Sequence, residues 1–329
     1  MPGRRRLHGK KYGKVFLFLL LFFVLLHAAV LLLYPSNAIF RTWQCFYRLQ
    51  RGKIDLLIVG NSHAYSSFDP AIISEMTGQD SYILATNSQN VVQTYFNVKE
   101  ALHYQHPDRI ILEAFALDEN DNWRFGTETP DRDWKKESNM DGMRFGLTKL
   151  EAITQQYLRE NWSYAAFPIL RCHGNWADIE TIGSNLSFYI GGIGEYSSFR
   201  PSESKMTEET KALYDTATYN PAPKAISEVN IEYFHKLAQL CRDEDITLSL
   251  VMAPMYDGYI RSINYEDWKG KMEELAESEG LFYLDCNVHY EEIGLTSQDF
   301  EDLYNGYHHL NQDGADKVTK FVMENLYDD

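Results

Sequence analysis

Two segments far apart in the chain carry side chains that could do nucleophilic chemistry together. The first is Gly60-Asn-Ser-His63, which follows the apolar run Leu56-Leu-Ile-Val59. The second is Tyr307-His-His-Leu-Asn311, near the other end. A serine hydroxyl is a weak nucleophile at its own pKa and needs a base within reach. A histidine is suited to that work near neutral pH. Each segment also has a plainer reading. Asn61, Ser62 and His63 suit a polar turn that caps the following helix, and the Gly-x-Ser-x-Gly elbow of other serine hydrolases is missing. His308 and His309 suit a surface loop. Neighbours on a chain point in different directions, and no carboxylate cluster at helical spacing turns the pair into a metal site.

The elements that must position these residues follow from the hydrophobic pattern. Within strand 54–60, Leu56 to Val59 is a continuous apolar run, as in a parallel strand covered on both faces. A helix is expected near 70–77, with Pro70 in its first turn. Strand 81–85, helix 89–105 and strand 109–115 follow. Strand 247–254, helix 265–280, strand 281–286 and a closing helix over 314–327 complete the pattern, after a helix over 226–243. This alternation predicts an α/β fold with a five-stranded parallel sheet. Ser62 falls at the carboxyl end of the first strand, the edge where such sheets bind ligands. The turn after Asn311 would bring the histidines to the same edge. Residues 118–225 break the rhythm, and are expected to form an insertion there, with a helix at 147–160.

Charge and hydropathy divide the chain further. Residues 1–14 form a basic tail, and residues 15–34 carry no formal charge. As a helix that run spans about 30 Å, the thickness of a bilayer core. Basic residues before it predict a cytoplasmic N-terminus, a single-pass anchor in the cell membrane, and a main domain outside the cytoplasm. A cleaved signal peptide is the alternative, with His27-Ala-Ala as a small-residue site, but the run exceeds the usual 7–15 residues. Residues 35–53 would be a juxtamembrane connector with Trp43, Phe46 and Tyr47 near the interface, and 54–329 the external domain. After residue 34, 25 Lys and Arg face 47 Asp and Glu. Such an acidic body argues against nucleic-acid binding. Four cysteines without CxxC spacing exclude a zinc ribbon, Cys241 and Cys286 suit core positions, and no cofactor is implied. Trp123, Trp134, Trp162 and Trp176 could stack on sugars or fill a core. Asn161 and Asn185 stand in glycosylation sequons.

Taken together, Gly60-Asn-Ser-His63 and His309-Leu-Asn311 with Gly314-Ala315 resemble the SGNH (GDSL-like) hydrolase superfamily. Ser62-His-Ala-Tyr-Ser-Ser-Phe-Asp-Pro70, Asn87-Ser-Gln-Asn90 and Pro107-Asp-Arg-Ile-Ile-Leu-Glu113 look like its membrane-anchored extracytoplasmic branch. That branch is similar to the teichoic-acid D-alanylation protein and the alginate O-acetyltransferases. The resemblance covers roughly residues 54–117 and 226–325 and implies a three-layer α/β/α, flavodoxin-like architecture.

It also implies roles. Ser62 would be the nucleophile and His309 the base, with His308 the competing choice. The family's acidic residue three before the histidine is absent, since position 306 is glycine; Asp302 or Asn305 would orient the base, or nothing would. Oxyanion or substrate contacts would come from among Ala85, Thr86, Asn87, Gln89 and Asn90, of which Gln89 and Asn90 could equally cap a helix. The implied activity is that of a serine esterase or O-acyltransferase acting on acyl esters of cell-envelope polysaccharide or teichoic acid. A multipass membrane O-acyltransferase is an implied partner. A non-catalytic assembly protein on the same fold is the alternative, and a carbohydrate-binding module a third.

Overall fold

Continuous apolar runs ending in small or polar residues become five parallel strands in the computed structural model. It describes residues 4–35, 38–118, 140–157, 159–191, 197–302 and 308–327. In chain order, α1 (Arg4–Leu33) and α2 (Ala38–Phe46) precede β1 (Leu56–Gly60). Then come α3 (Ser62–Ser67), α4 (Pro70–Thr77), β2 (Ser81–Ala85), α5 (Val91–Ala101) and β3 (Arg109–Glu113). The segment between β3 and β4 carries α6 (Leu147–Gln156), α7 (Trp162–Ala166), α8 (Ile169–Cys172), α9 (Ile179–Ile190) and α10 (Glu208–Asp215). It closes with α11 (Glu228–Asp243), which leads into β4 (Thr247–Met252). After it come α12 (Asp257–Ile260), α13 (Tyr265–Glu279), β5 (Phe282–Asp285), α14 (Tyr290–Ile293) and α15 (Gln312–Tyr327).

The strand order is β2-β1-β3-β4-β5, with every pair parallel. Alternate residues of each strand feed opposite faces, as the period of two requires. Leu57, Val59, Leu84, Leu112 and Leu250 join one core with Phe96, Phe234 and Trp268 from α5, α11 and α13. Leu56, Ile58, Ile83, Ile111 and Val251 join the other with Phe68, Ile73, Val318 and Val322. Helices α3 and α4 pack on α15, and α5 packs on α11. The result is a three-layer α/β/α fold. The crossover from β1 goes to β2 on one side and the later strands add on the other, so the switch point lies between β1 and β3.

The connector departs from its expectation. Trp43 and Phe46 are fully buried within the core that α5 and α11 share, and Tyr82 Oη donates to the Thr42 carbonyl at 2.8 Å. Helix α2 is therefore part of the domain, because its apolar side chains find a sheet face to cover. Gly142 fits only because it has no Cβ; one placed there would lie 2.6 Å from that of Trp43. The α1 helix is long and apolar enough to cross a membrane over Tyr12–Leu33. Asn185 is buried and donates to the carbonyls of Leu32 (3.0 Å) and Tyr34 (2.7 Å), which leaves its amide unsuited to carry a glycan.

Candidate active site

Gly60 ends β1 with φ +146°, and a Cβ on it would meet the Glu113 Cβ at 2.9 Å. Only glycine takes that backbone comfortably at that spacing. The chain turns at once into α3, a helix of six residues, all buried. Asn61 caps it, its side-chain oxygen accepting from His63 N at 2.9 Å. Ser62 is the first residue of this helix and lies almost wholly buried at the switch point. The expected cap at Asn61–His63 is thus present, and it sets Ser62 in the first turn of the helix.

Around Ser62 a polar group gathers from three elements. The Tyr65 hydroxyl, on the same short helix as Ser62, donates to Asn87 Oδ1. The Arg200 guanidinium lies over the Tyr65 ring, 5.2 Å from its centroid, while Arg200 N donates to the Tyr65 carbonyl at 2.9 Å. Burial holds the Tyr65 phenol above its ordinary pKa against the pull of that cation. Of the other residues after β2, Asn90 caps α5 by accepting from Gln93 N at 3.1 Å. Gln89 accepts from Thr86 Oγ1 (3.1 Å) and Asn97 Nδ2 (2.9 Å) and donates to Thr94 Oγ1 (2.9 Å). Ala85 N donates to Ser198 Oγ at 3.3 Å. Helix capping and a buried network engage these four, and Asn87 alone of the five is joined to the Ser62 group.

The histidines arrive by way of a short antiparallel bridge between Phe300 and Leu310. Glu301 N donates to the His309 carbonyl at 3.0 Å, so the two residues are cross-strand neighbours. Glu301 Oε1 lies 2.7 Å from His309 Nδ1. The imidazole stands edge-on to the His63 ring at 5.3 Å and near the Tyr65 ring at 6.1 Å. It therefore rests against the short helix that carries Ser62. His308 points elsewhere. It stacks on Tyr259 at 3.7 Å, with Tyr214 on another side, and its two nitrogens find no hydrogen-bond partner among the described residues. Burial, then the neighbouring His309 and Lys224, lowers its pKa to about 3.

Asp302, a candidate to orient the base, is turned away: its Oδ1 accepts from Thr207 N and Thr207 Oγ1, both at 2.9 Å. Asn305, the other candidate, lies outside the described residues, as do Trp123 and Trp134. The carboxylate beside His309 is Glu301, which sequence reasoning missed because a bridge, not a fixed spacing, brings it there. Asn311 secures the arrangement. Its Nδ2 donates to the carbonyls of Gln298 (2.7 Å) and Ser204 (3.2 Å), and its Oδ1 accepts from Gly314 N at 3.1 Å. Thr319 Oγ1 donates to the Ser67 carbonyl at 3.1 Å and accepts from Asp69 N at 2.8 Å, which pins α15 to the end of α3.

His63 stacks on Phe115 at 4.2 Å. Burial above all, then His309 and His308, keeps its pKa well below the ordinary value. Glu113 accepts from Phe115 N (3.1 Å) and Ala253 N (3.4 Å), tying β3 to β4 beneath the site. Among the described residues no group of three or more His, Cys, Asp or Glu side chains is placed to hold a metal ion.

The fold and this constellation define a parallel α/β protein with serine, histidine and glutamate side chains gathered at its switch point. No protein-family model matches the chain. No curated protein matches it. Among solved structures, it is similar to a Bacteroides fragilis protein assigned as an acylhydrolase, with a TM-score of 0.40 and 10% identity over 87% of this chain and 94% of that one. A Streptococcus pneumoniae protein assigned as a platelet activating factor gives a TM-score of 0.38 and 14% identity, over 90% of this chain and 94% of the other. The fold and the chemistry of the site rest on the chain's own geometry.

Proposed function

We propose that the chain is a membrane-anchored serine esterase or O-acyltransferase in which Ser62 is the nucleophile, His309 the base and Glu301 the residue that orients the base. The observation that carries this reading is the 2.7 Å approach of Glu301 to His309 Nδ1, in a ring that lies against the Ser62 helix. A carboxylate beside Nδ1 would favour the tautomer that leaves Nε2 able to accept a proton. Ser62 Oγ attacks the ester carbonyl as its proton passes to His309 Nε2. The tetrahedral intermediate collapses, the C–O bond breaks, and the leaving alcohol takes that proton. Water or a sugar hydroxyl then attacks the acyl-serine, with His309 again the base. On this reading the Ser62 amide and Asn87 would donate to the developing oxyanion.

Cell-envelope polysaccharide or teichoic acid suits the site as donor or acceptor, since an anchored external domain meets such polymers. A multipass membrane O-acyltransferase would be the partner if the acyl group arrives from inside the cell. The test is labelling of the full-length protein with a fluorophosphonate and location of the adduct by mass spectrometry. An adduct on Ser62 that disappears in Ser62→Ala and His309→Ala supports the reading. A folded protein that stays unlabelled while a control esterase reacts would refute it and favour a non-catalytic assembly protein.

A further inference from the structure

Large apolar side chains are exposed unevenly over this molecule. Outside α1, ten of the fifteen exposed ones among the described residues fall between 145 and 190. Several sit on α8, the turn after it and α9, the elements packed around the carboxyl end of α1. Trp176 is 74% exposed, Ile179 82% and Ile190 77%, with Leu170 and Leu186 also exposed. Within α9 the side chains sort by direction. Asn185 faces the end of α1, where it donates to Leu32 and Tyr34 carbonyls. Ser184 and Phe188 face α2, where Arg41 donates to the first and lies over the second. Ile179, Leu186 and Ile190, at helical spacing, are left outward. The helix contains one charged residue, Glu180. Exposed apolar side chains concentrated in this way mark an interaction surface.

The length of α1 says what covers it. From Ala29 onward the helix is half-buried in the domain, with Val30, Leu31 and Leu33 packed beside Tyr34, Phe40 and Cys172. The uncovered apolar part, residues 15–28, rises about 21 Å at 1.5 Å per residue. A bilayer core is roughly 30 Å thick. If the helix spans, the remaining thickness falls where the domain begins. Resting on the reading of α1 as a membrane anchor, we propose that the face formed by α8, the turn after it and α9 sits in the outer interfacial layer of the same bilayer. Trp176 lies at headgroup depth, as indole rings favour. Ile179, Leu186 and Ile190 meet acyl chains, as in a monotopic helix. The partner is thus a lipid surface, and it holds the domain at a fixed height and tilt. The Ser62 site then works on membrane-proximal substrate and does not swing on a tether.

All four native cysteines are buried, so a single added cysteine can be labelled in the full-length protein. Leu20→Cys, Ile179→Cys and Ile190→Cys, each carrying an NBD dye, would be placed in phosphatidylcholine nanodiscs. Quenching by phospholipid with a doxyl group at carbon 5 would be compared with quenching by aqueous iodide. We expect lipid quenching of about twofold or more at all three sites, and weak iodide quenching, for a face embedded at acyl-chain depth. Quenching at Leu20 with iodide-accessible labels at 179 and 190 overturns the proposal while leaving the anchor intact. Labels at 179 and 190 shielded from both quenchers would mean that a second copy of the chain covers the face, and also overturn it. Absence of lipid quenching at Leu20 removes the anchor and the proposal together.

Discussion

At the scale of single residues, the partner of His309 is decided by a bridge and not by spacing along the chain. Glu301 stands across from His309, while Asp302, one residue on, points into the 204–210 segment and accepts from Thr207. Glu301→Gln keeps the shape and removes the charge, so the imidazole loses its preferred tautomer. Fluorophosphonate labelling or ester turnover should fall by roughly 10²- to 10⁴-fold, as for other triads that lose the carboxylate. Asp302→Asn should leave the rate near that of the parent; the opposite ranking would show that Asp302 orients the base. His308 supports a prediction about pH. Its pKa is depressed in the fold to about 3, so below the ordinary histidine value the unfolded chain binds a proton that the folded chain refuses. Stability is therefore intact above about pH 6.5 and falls as the pH drops toward 3, with about 2 kcal/mol lost at pH 5 from this residue. His308→Phe should shrink the difference between urea midpoints at pH 7 and pH 5. An unchanged difference would mean that His308 is not the buried neutral group.

Elements rather than residues bring the Ser62 and His309 segments together. The end of α15 near Asn311 is tied to the 298–300 and 204 segments, and its middle is tied to α3 through Thr319. Asn311→Ala strands several buried carbonyls and the Gly314 amide. It should cost about 2–4 kcal/mol in denaturant unfolding, given the penalty for unpaired buried polar groups. Labelling at Ser62 should slow as the bridge that carries His309 loosens. A stability loss with unchanged labelling would show that Asn311 does not set the position of His309. The strands were legible because β1 to β5 are buried runs bounded by Gly, Pro or acidic residues, and Pro70 and Asn90 mark helix starts openly. Helix α3 was not legible, since Ser62-His-Ala-Tyr-Ser-Ser67 has no apolar period and every one of its side chains is buried. Trp43 and Phe46 misled for another reason. Aromatic residues just after an apolar helix suit a membrane interface and a domain core equally, and only the sheet face opposite decides. Glu301 needed the bridge to be seen at all, because hydrogen bonding between distant backbone segments leaves no period in the sequence.

For the molecule as a whole, the apolar helix and the α/β domain are continuous. Tyr34 is 1% exposed and stacks on Phe40 at 4.4 Å, and its hydroxyl donates to Asp141. Asp141 also pairs with Arg171, and Lys149 Nζ donates to the Met143 carbonyl at 3.1 Å beside them. Burial lowers the Lys149 pKa to about 8 despite the pull of Asp141, a sign of how dry the cluster is. Charged groups in such a site hold only while each keeps its partners. Cutting the chain after Pro35, where the apolar run suggests a clean boundary, would remove Tyr34 and the carbonyls that receive Asn185. Loss of one buried aromatic costs about 3–5 kcal/mol, and for a domain of this size each kcal/mol lowers Tm by roughly 2–4 °C. A fragment of residues 36–329 should therefore melt roughly 6–20 °C below one of residues 29–329, and bind a dye specific for exposed apolar surface. Equal melting temperatures would show that the last turn of α1 is merely a tether. If the fragments differ as expected, the last turn of α1 is a structural element of the domain. The domain is then most stable with that turn in place, and any membrane attachment through α1 would be coupled to fold integrity.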